Sequence, residues 1–212
     1  MVIIQDYEPR FHSEVNQIFA EGILEHWPYA ICIGLQNPII WAFLAIIFLF
    51  GKICYSWILA LILVTCCIGI YAFIVYYSYR FYVSDHLSTD MKDSHLNYWT
   101  KYPNVFFVAL SESEQVVGCI AYQRKSPDTV EMNRCSVDSK SRGLGIGKKL
   151  VNALELHAKQ QGFEYMYLET SIPQVDAMKM YEKLGFQFLR YLEQPVLDLV
   201  FGKSAKIYEK KL

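Results

Sequence analysis

Arg142-Gly143-Leu144-Gly145-Ile146-Gly147-Lys148 joins a strand-like run ending near Val137 to an amphipathic run ending at Gln161. Glycines at such a junction let backbone N–H groups face a cavity without interference from Cβ atoms, and the start of a helix adds partial positive charge. A turn of this kind suits a phosphate or pyrophosphate. Spacing separates the possible forms. A G-x-x-x-x-G-K-[ST] loop needs Gly at 142 and Ser or Thr at 149, where Arg142 and Lys149 stand. A dinucleotide fingerprint needs G-x-G-x-x-G, whereas these glycines fall at 143, 145 and 147. What remains is R-x-x-G-x-G on Arg142, Gly145 and Gly147, with a plain glycine-rich surface loop as the alternative on this segment alone.

Working outward, residues 105–110 and 116–123 read as antiparallel strands joined by the polar stretch 111–115, and residues 129–137 read as a third strand. Downstream, Leu150, Val151, Leu154 and Ala158 recur on one face of a helix over 147–161, with Gly162 at the stop position. Residues 165–169 form the next expected strand. Val175, Met178, Tyr181 and Leu184 mark a second helix ending at Gly185, before final strands at 186–191 and 205–208. At the start of the chain a short apolar run at 2–4 precedes Phe11, Val15, Ile18, Phe19 and Ile23 at helical spacing, and residues 86–98 read as a polar helix. A meander followed by alternating helices and strands predicts a mixed α/β sheet.

The 212 residues are 53% hydrophobic and 19% charged, and the greasy excess is local. Between Trp27 and Tyr79 the only charged side chain is Lys52. Residues 29–51 and 53–79 are each free of charge and each exceed the roughly 20 residues that cross a hydrocarbon core. Gly51-Lys52 is expected to break them, and Asn37-Pro38 to delay the first regular helix until Pro38. Tyr76, Tyr77, Tyr79, Arg80, Phe81 and Tyr82 supply an aromatic and basic boundary suited to a membrane interface. The chain therefore divides into 1–26, the first strand and helix of a globular domain; 27–82, a helical membrane hairpin; and 83–212, the rest of that domain. If both flanks complete one domain, the insertion must cross twice or re-enter, which makes the lipid bilayer a partner. Lys plus Arg number 20 and Asp plus Glu 21, a net charge of −1 that gives no support to nucleic-acid binding. The six cysteines show no C-x-x-C spacing, no zinc or other metal site is expected, and residues 1–10 carry no signal-peptide core.

The R-x-x-G-x-G turn, the preceding Val130-Glu131-Met132 and the downstream run from Ala177 to Phe186 together resemble the GNAT acetyltransferase superfamily. Leu168-Glu169-Thr170-Ser171 followed by Gln174, Ala177, Tyr181, Gly185 and Phe186, with a membrane insertion ahead of the core, is similar to the camello-like N-acetyltransferases, which include the cysteine-conjugate N-acetyltransferase. The resemblance implies an α/β fold with a splayed, mixed sheet flanked by helices, acetyl-CoA as co-substrate and a small-molecule amine as acceptor. It places the pantetheine and thioester on the backbone of Ser136 and Val137, and the pyrophosphate on Arg142, Gly143, Leu144, Gly145, Ile146, Gly147 and Lys148. Thr170 joins the cofactor-binding set. Tyr181 is then the candidate acid for the departing thiolate, and Glu131 the candidate base, acting through water. The implied acceptor is the α-amino group of an amino-acid derivative such as a cysteine S-conjugate; protein lysines and free amino acids are alternatives, as is an inactive membrane interaction module. The resemblance implies the endoplasmic reticulum membrane, and acetyl-CoA supply favours a cytosolic catalytic face.

Overall fold

A computed structural model describes residues 2–89, 91–92, 104–193 and 204–212. Its strands are β1 (Ile3–Asp6), β2 (Val105–Leu110), β3 (Val116–Arg124), β4 (Thr129–Val137), β5 (Tyr165–Ser171), β6 (Gln187–Tyr191) and β7 (Ala205–Lys211). They form one sheet in the order β1-β2-β3-β4-β5-β7-β6. Every neighbouring pair is antiparallel except β4 and β5. The helices are α1 (His12–Leu24), α2 (Trp27–Gly34), α3 (Pro38–Cys54), α4 (Trp57–Ser88), α5 (Ile146–Gln160) and α6 (Val175–Lys183).

Alternation along the strands sends apolar side chains to both faces. Val130, Met132, Met166 and Leu168 pack under α5 with Leu150 and Leu154. Phe106, Val108, Cys119 and Ala121 pack under α1 with Val15 and Phe19 on the other face. Each Val, Leu, Phe or Met side chain here contributes about 1.5–3 kcal/mol when fully buried, so α1 is tied into the sheet although a long apolar insertion separates it from β2. The expectation of a mixed α/β sheet holds. Periodicity gave no hint that β7 lies between β5 and β6, because that order depends on the return path of the chain.

Parallel pairing of β4 with β5 covers only Thr129–Met132 against Tyr165–Leu168. Beyond it, β4 stays on β3 through Ser136 and Val137, while β5 follows β7 through Ser171. The sheet therefore opens into a wedge. At its mouth β4 carries an extra residue: Asn133 faces Ala121 and Ser136 faces Cys119, leaving Arg134 and Cys135 opposite Ile120. Arg134 takes φ +55°, a left-handed value that a bulge imposes, and this re-aims the backbone of Cys135 through Val137.

The insertion folds into helices whose apolar side chains stay exposed, among them Trp41, Phe43, Ile46, Ile58, Leu61 and Phe73. α4 is long and apolar enough to cross a membrane, with a mean hydropathy of 2.8 over its best window. At 1.5 Å per residue its 32 residues extend about 48 Å, beyond a hydrocarbon core of about 30 Å, whereas the 17 residues of α3 reach only about 25 Å. α3 begins at Pro38 as expected, with Asn37 Oδ1 accepting from the amide of Ile39. The break expected at Gly51-Lys52 is corrected: α3 runs through both to Cys54, and the chain turns at Tyr55-Ser56, where Ser56 caps α4. Gly51 serves packing instead, since a Cβ there would lie 2.9 Å from the Cα of Ala60. The polar helix expected over 86–98 is also corrected in part, because residues 86–88 are the last turn of α4; residues 93–98 lie outside the described residues.

Candidate active site

The wedge holds a cavity of about 1050 Å³. Ser136 and Val137 line it from the bulged end of β4, and Pro173, Gln174, Asp176 and Tyr181 line it from α6 and the turn before it. Gly22, Glu25, His26 and Tyr29 line it from α1 and α2 on the opposite face of the sheet. A closed sheet would keep these two sets apart. The splay makes one continuous space that a substrate from one face and a substrate from the other can share.

At the floor of this space Gly143 and Gly145 adopt φ +78° and +73°, and a Cβ on either would meet no atom within 4 Å. Glycine is required there by the backbone conformation, and the openness leaves room for a ligand in front of the amides. Gly145 is the N-cap of α5 and offers no side-chain acceptor, so the first amides of the helix have no intrahelical partner. Such a terminus attracts an anion. Gly147 acts differently: a Cβ would lie 3.0 Å from Met180 Sδ, so its role is the close approach of α5 to α6. Arg142 crosses the mouth, with Nη1 2.6 Å from Glu25 Oε1 and Nε donating to the carbonyl of Val137 at 3.1 Å.

Tyr181 is buried, with its hydroxyl beside the thiol of Cys135. Burial, with the neighbouring Cys135, holds the Tyr181 hydroxyl well above its ordinary value near 10, and burial pushes the Cys135 thiol up to about 11. Both are neutral at cellular pH. A protonated phenol at the wedge suits a proton donor that faces a developing thiolate. His26 is displaced in the opposite direction: burial lowers it, Glu25 and Asp176 raise it, and Arg142 lowers it, with a net shift below 6.5.

The structure thus gathers Ser136, Val137, Arg142, Gly143, Gly145, Ile146, Gly147, Lys148 and Tyr181 around one cavity. It leaves three predicted residues outside the lining. Leu144 is turned to solvent and is 68% exposed. Thr170 is buried and donates to Gln174 Oε1 at 2.8 Å, so it braces the turn before α6. Glu131 stands in the stretch of β4 flanked on both sides by strands, and Lys125 Nζ donates to its Oε2 at 3.1 Å. Sequence reasoning missed Glu25, His26 and Asp176. For Glu25 and His26 the signal was a charged helix end before an apolar run, which a solvated face also gives, and Asp176 is a single acidic residue in the first turn of α6.

The GNAT acetyltransferase family model matches residues 72–186, more than half of the chain. The chain belongs to the GNAT family and is an acetyl-CoA-dependent N-acetyltransferase. It is 34% identical over 195 residues to the N-acetylaspartate synthetase of Danio rerio, covering 88% of this chain and 67% of that one. It is 32% identical over 194 residues to the N-acetyltransferase 8F1 of Rattus norvegicus, covering 87% and 85%. A Bacillus anthracis acetyltransferase solved in complex with acetyl coenzyme A superposes with a TM-score of 0.51 at 27% identity, over 56% of this chain and 68% of that one.

Proposed function

We propose that this chain is a membrane-bound enzyme that acetylates the α-amino group of a small amino-acid derivative, such as a cysteine S-conjugate. The observation that carries the reading is the cavity itself, shared by an anion-binding turn, a bulged strand end and a neutral buried tyrosine. The pyrophosphate of acetyl-CoA lies on the amides from Gly143 to Lys148, with Arg142 as counter-charge. The pantetheine runs along the end of β4 that has parted from β5, and the thioester carbonyl meets the amides of Ser136 and Val137. Attack by the amine places negative charge on that carbonyl oxygen, where a fixed N–H contributes up to a few kcal/mol. The C–S bond then breaks, and Tyr181 gives its proton to the leaving thiolate.

The acceptor approaches from the α1 and α2 side. Tyr29 on that wall belongs to the first helix of the apolar insertion, which suits an amphipathic acceptor partitioned at a membrane surface. The N-acetylaspartate in the name of one relative supports a free amino acid as the second reading. An endoplasmic reticulum location follows from the resemblance to camello-like enzymes, and a cytosolic catalytic face follows from where acetyl-CoA is supplied.

Two measurements on the full chain in detergent test this reading. Acetyl-CoA at 100 times its dissociation constant stabilises the fold by about 2.7 kcal/mol, seen as a rise in Tm. A panel of S-benzyl-L-cysteine, L-aspartate and a lysine peptide, with free CoA as readout, yields turnover on the amino acids. No thermal response would remove the acyl-transfer reading, and turnover on the peptide alone would move the acceptor to protein lysines.

A further inference from the structure

Glu25 and His26, at the junction of α1 and α2, reach the same cavity as Tyr181 and Arg142 from the other face of the sheet. His26 Nε2 lies 3.3 Å from Glu25 Oε1, and the same Glu25 oxygen lies 2.6 Å from Arg142. Both side chains are partly shielded, at 21% and 32% exposure. The residues therefore form a row, His26–Glu25–Arg142, that runs from the acceptor side of the cleft to the anion-binding turn.

We infer that His26 is the base that removes the proton from the incoming ammonium, with Glu25 orienting its ring. The inference rests on the acetyltransferase reading above and names a residue for its missing step. An amine arrives protonated at neutral pH and is not nucleophilic until a base takes that proton. With Nε2 turned to the carboxylate, the tautomer protonated on Nε2 leaves the Nδ1 lone pair free to accept it. The nitrogen then attacks the acetyl carbonyl, the C–N bond forms and the C–S bond breaks. Tyr181 protonates the thiolate, and the second proton shed by the new amide nitrogen returns through water to the Tyr181 phenolate. The first proton leaves His26 for solvent.

The charged neighbours of His26 make this step depend on the cofactor. Glu25 and Asp176 favour the imidazolium, while Arg142 and burial oppose it. A pyrophosphate that neutralises Arg142 removes one opposing charge and raises the basicity of His26. The base is thus strengthened when acetyl-CoA is in place.

The test compares His26→Gln with the unmodified full chain, using S-benzyl-L-cysteine and O-benzylhydroxylamine as acceptors. The second nitrogen is already neutral at the assay pH and needs no base. Loss of a base lowers turnover of the amino acid by about 10²-fold or more. Turnover of the hydroxylamine stays within about twofold, and the acetyl-CoA thermal response is retained. Equal losses with both acceptors would overturn the assignment, as would an acceptor-dependent loss in Glu131→Gln instead. A missing acetyl-CoA response in the unmodified chain would instead defeat the underlying acetyltransferase reading. Should His26→Gln fail to fold, His26→Asn is read with the same two acceptors, and equal losses with both would again overturn the role.

Discussion

The two halves of β4 differ in one respect, the number of strands beside them, and that difference separates structure from chemistry. Thr129–Met132 is flanked by β3 and β5, whereas Ser136 and Val137, among the described strands, pair with β3 and have left β5. In the first half, Val130 and Met132 are buried under α5, and Glu131 is held by Lys125. In the second half a bulge re-aims the backbone, and Cys135, Ser136 and Val137 face the cavity. A strand edge without a partner is a hazard on a surface. Within a wedge it becomes a row of donors and acceptors that a pantetheine arm can pair with.

Substitutions in and beside each half sharpen the contrast. Tyr181→Phe removes the donor beside the open half and is expected to lower kcat by about 10²–10⁴-fold, equivalent to about 3–5 kcal/mol of barrier. Acetyl-CoA affinity, measured by calorimetric titration, stays within about twofold. Unchanged turnover would take Tyr181 out of the reaction. Met132→Ala in the closed half leaves a cavity under α5 and is expected to cost about 2–5 kcal/mol in denaturant unfolding, with acetyl-CoA still bound. If it abolished binding while leaving stability intact, the division of β4 into two roles would be wrong.

Gly145→Ala places a Cβ on a residue at φ +73°, where an L-residue pays about 1–2 kcal/mol. Weaker acetyl-CoA binding by about tenfold is the expected result, read by the ligand-dependent rise in Tm. Glu131→Gln gives the smallest effect. Its ion pair with Lys125 is more than a third exposed at both ends on average, so the loss of stability is below about 1 kcal/mol. A larger loss, with a shifted pH profile, would return Glu131 to the chemistry.

Much of this was legible because local rules and tertiary structure agree. Gly143, Gly145, Gly162 and Gly185 stand where the backbone takes positive φ, and those glycines marked the turn and the two helix ends. The limits of β4 were readable from its apolar alternation. The turn of the apolar insertion was misread at Gly51-Lys52 because glycine also serves close helix packing, and only the neighbouring Ala60 distinguishes that use. Glu131 drew attention as a carboxylate near the turn, yet a strand position does not reveal whether its neighbours continue beside it.

The sequence by itself determined the class of ligand at the turn, the family, and the presence of a segment too apolar to leave in water. These depend on residue type and short spacing, which the chain carries locally. Tertiary structure alone decided which residues share the cleft. Glu25 and His26 meet Arg142 and Tyr181 across more than a hundred positions of chain because the sheet parts between β4 and β5. Where two strands stop pairing is set by the packing on both faces at once, and no local pattern records it.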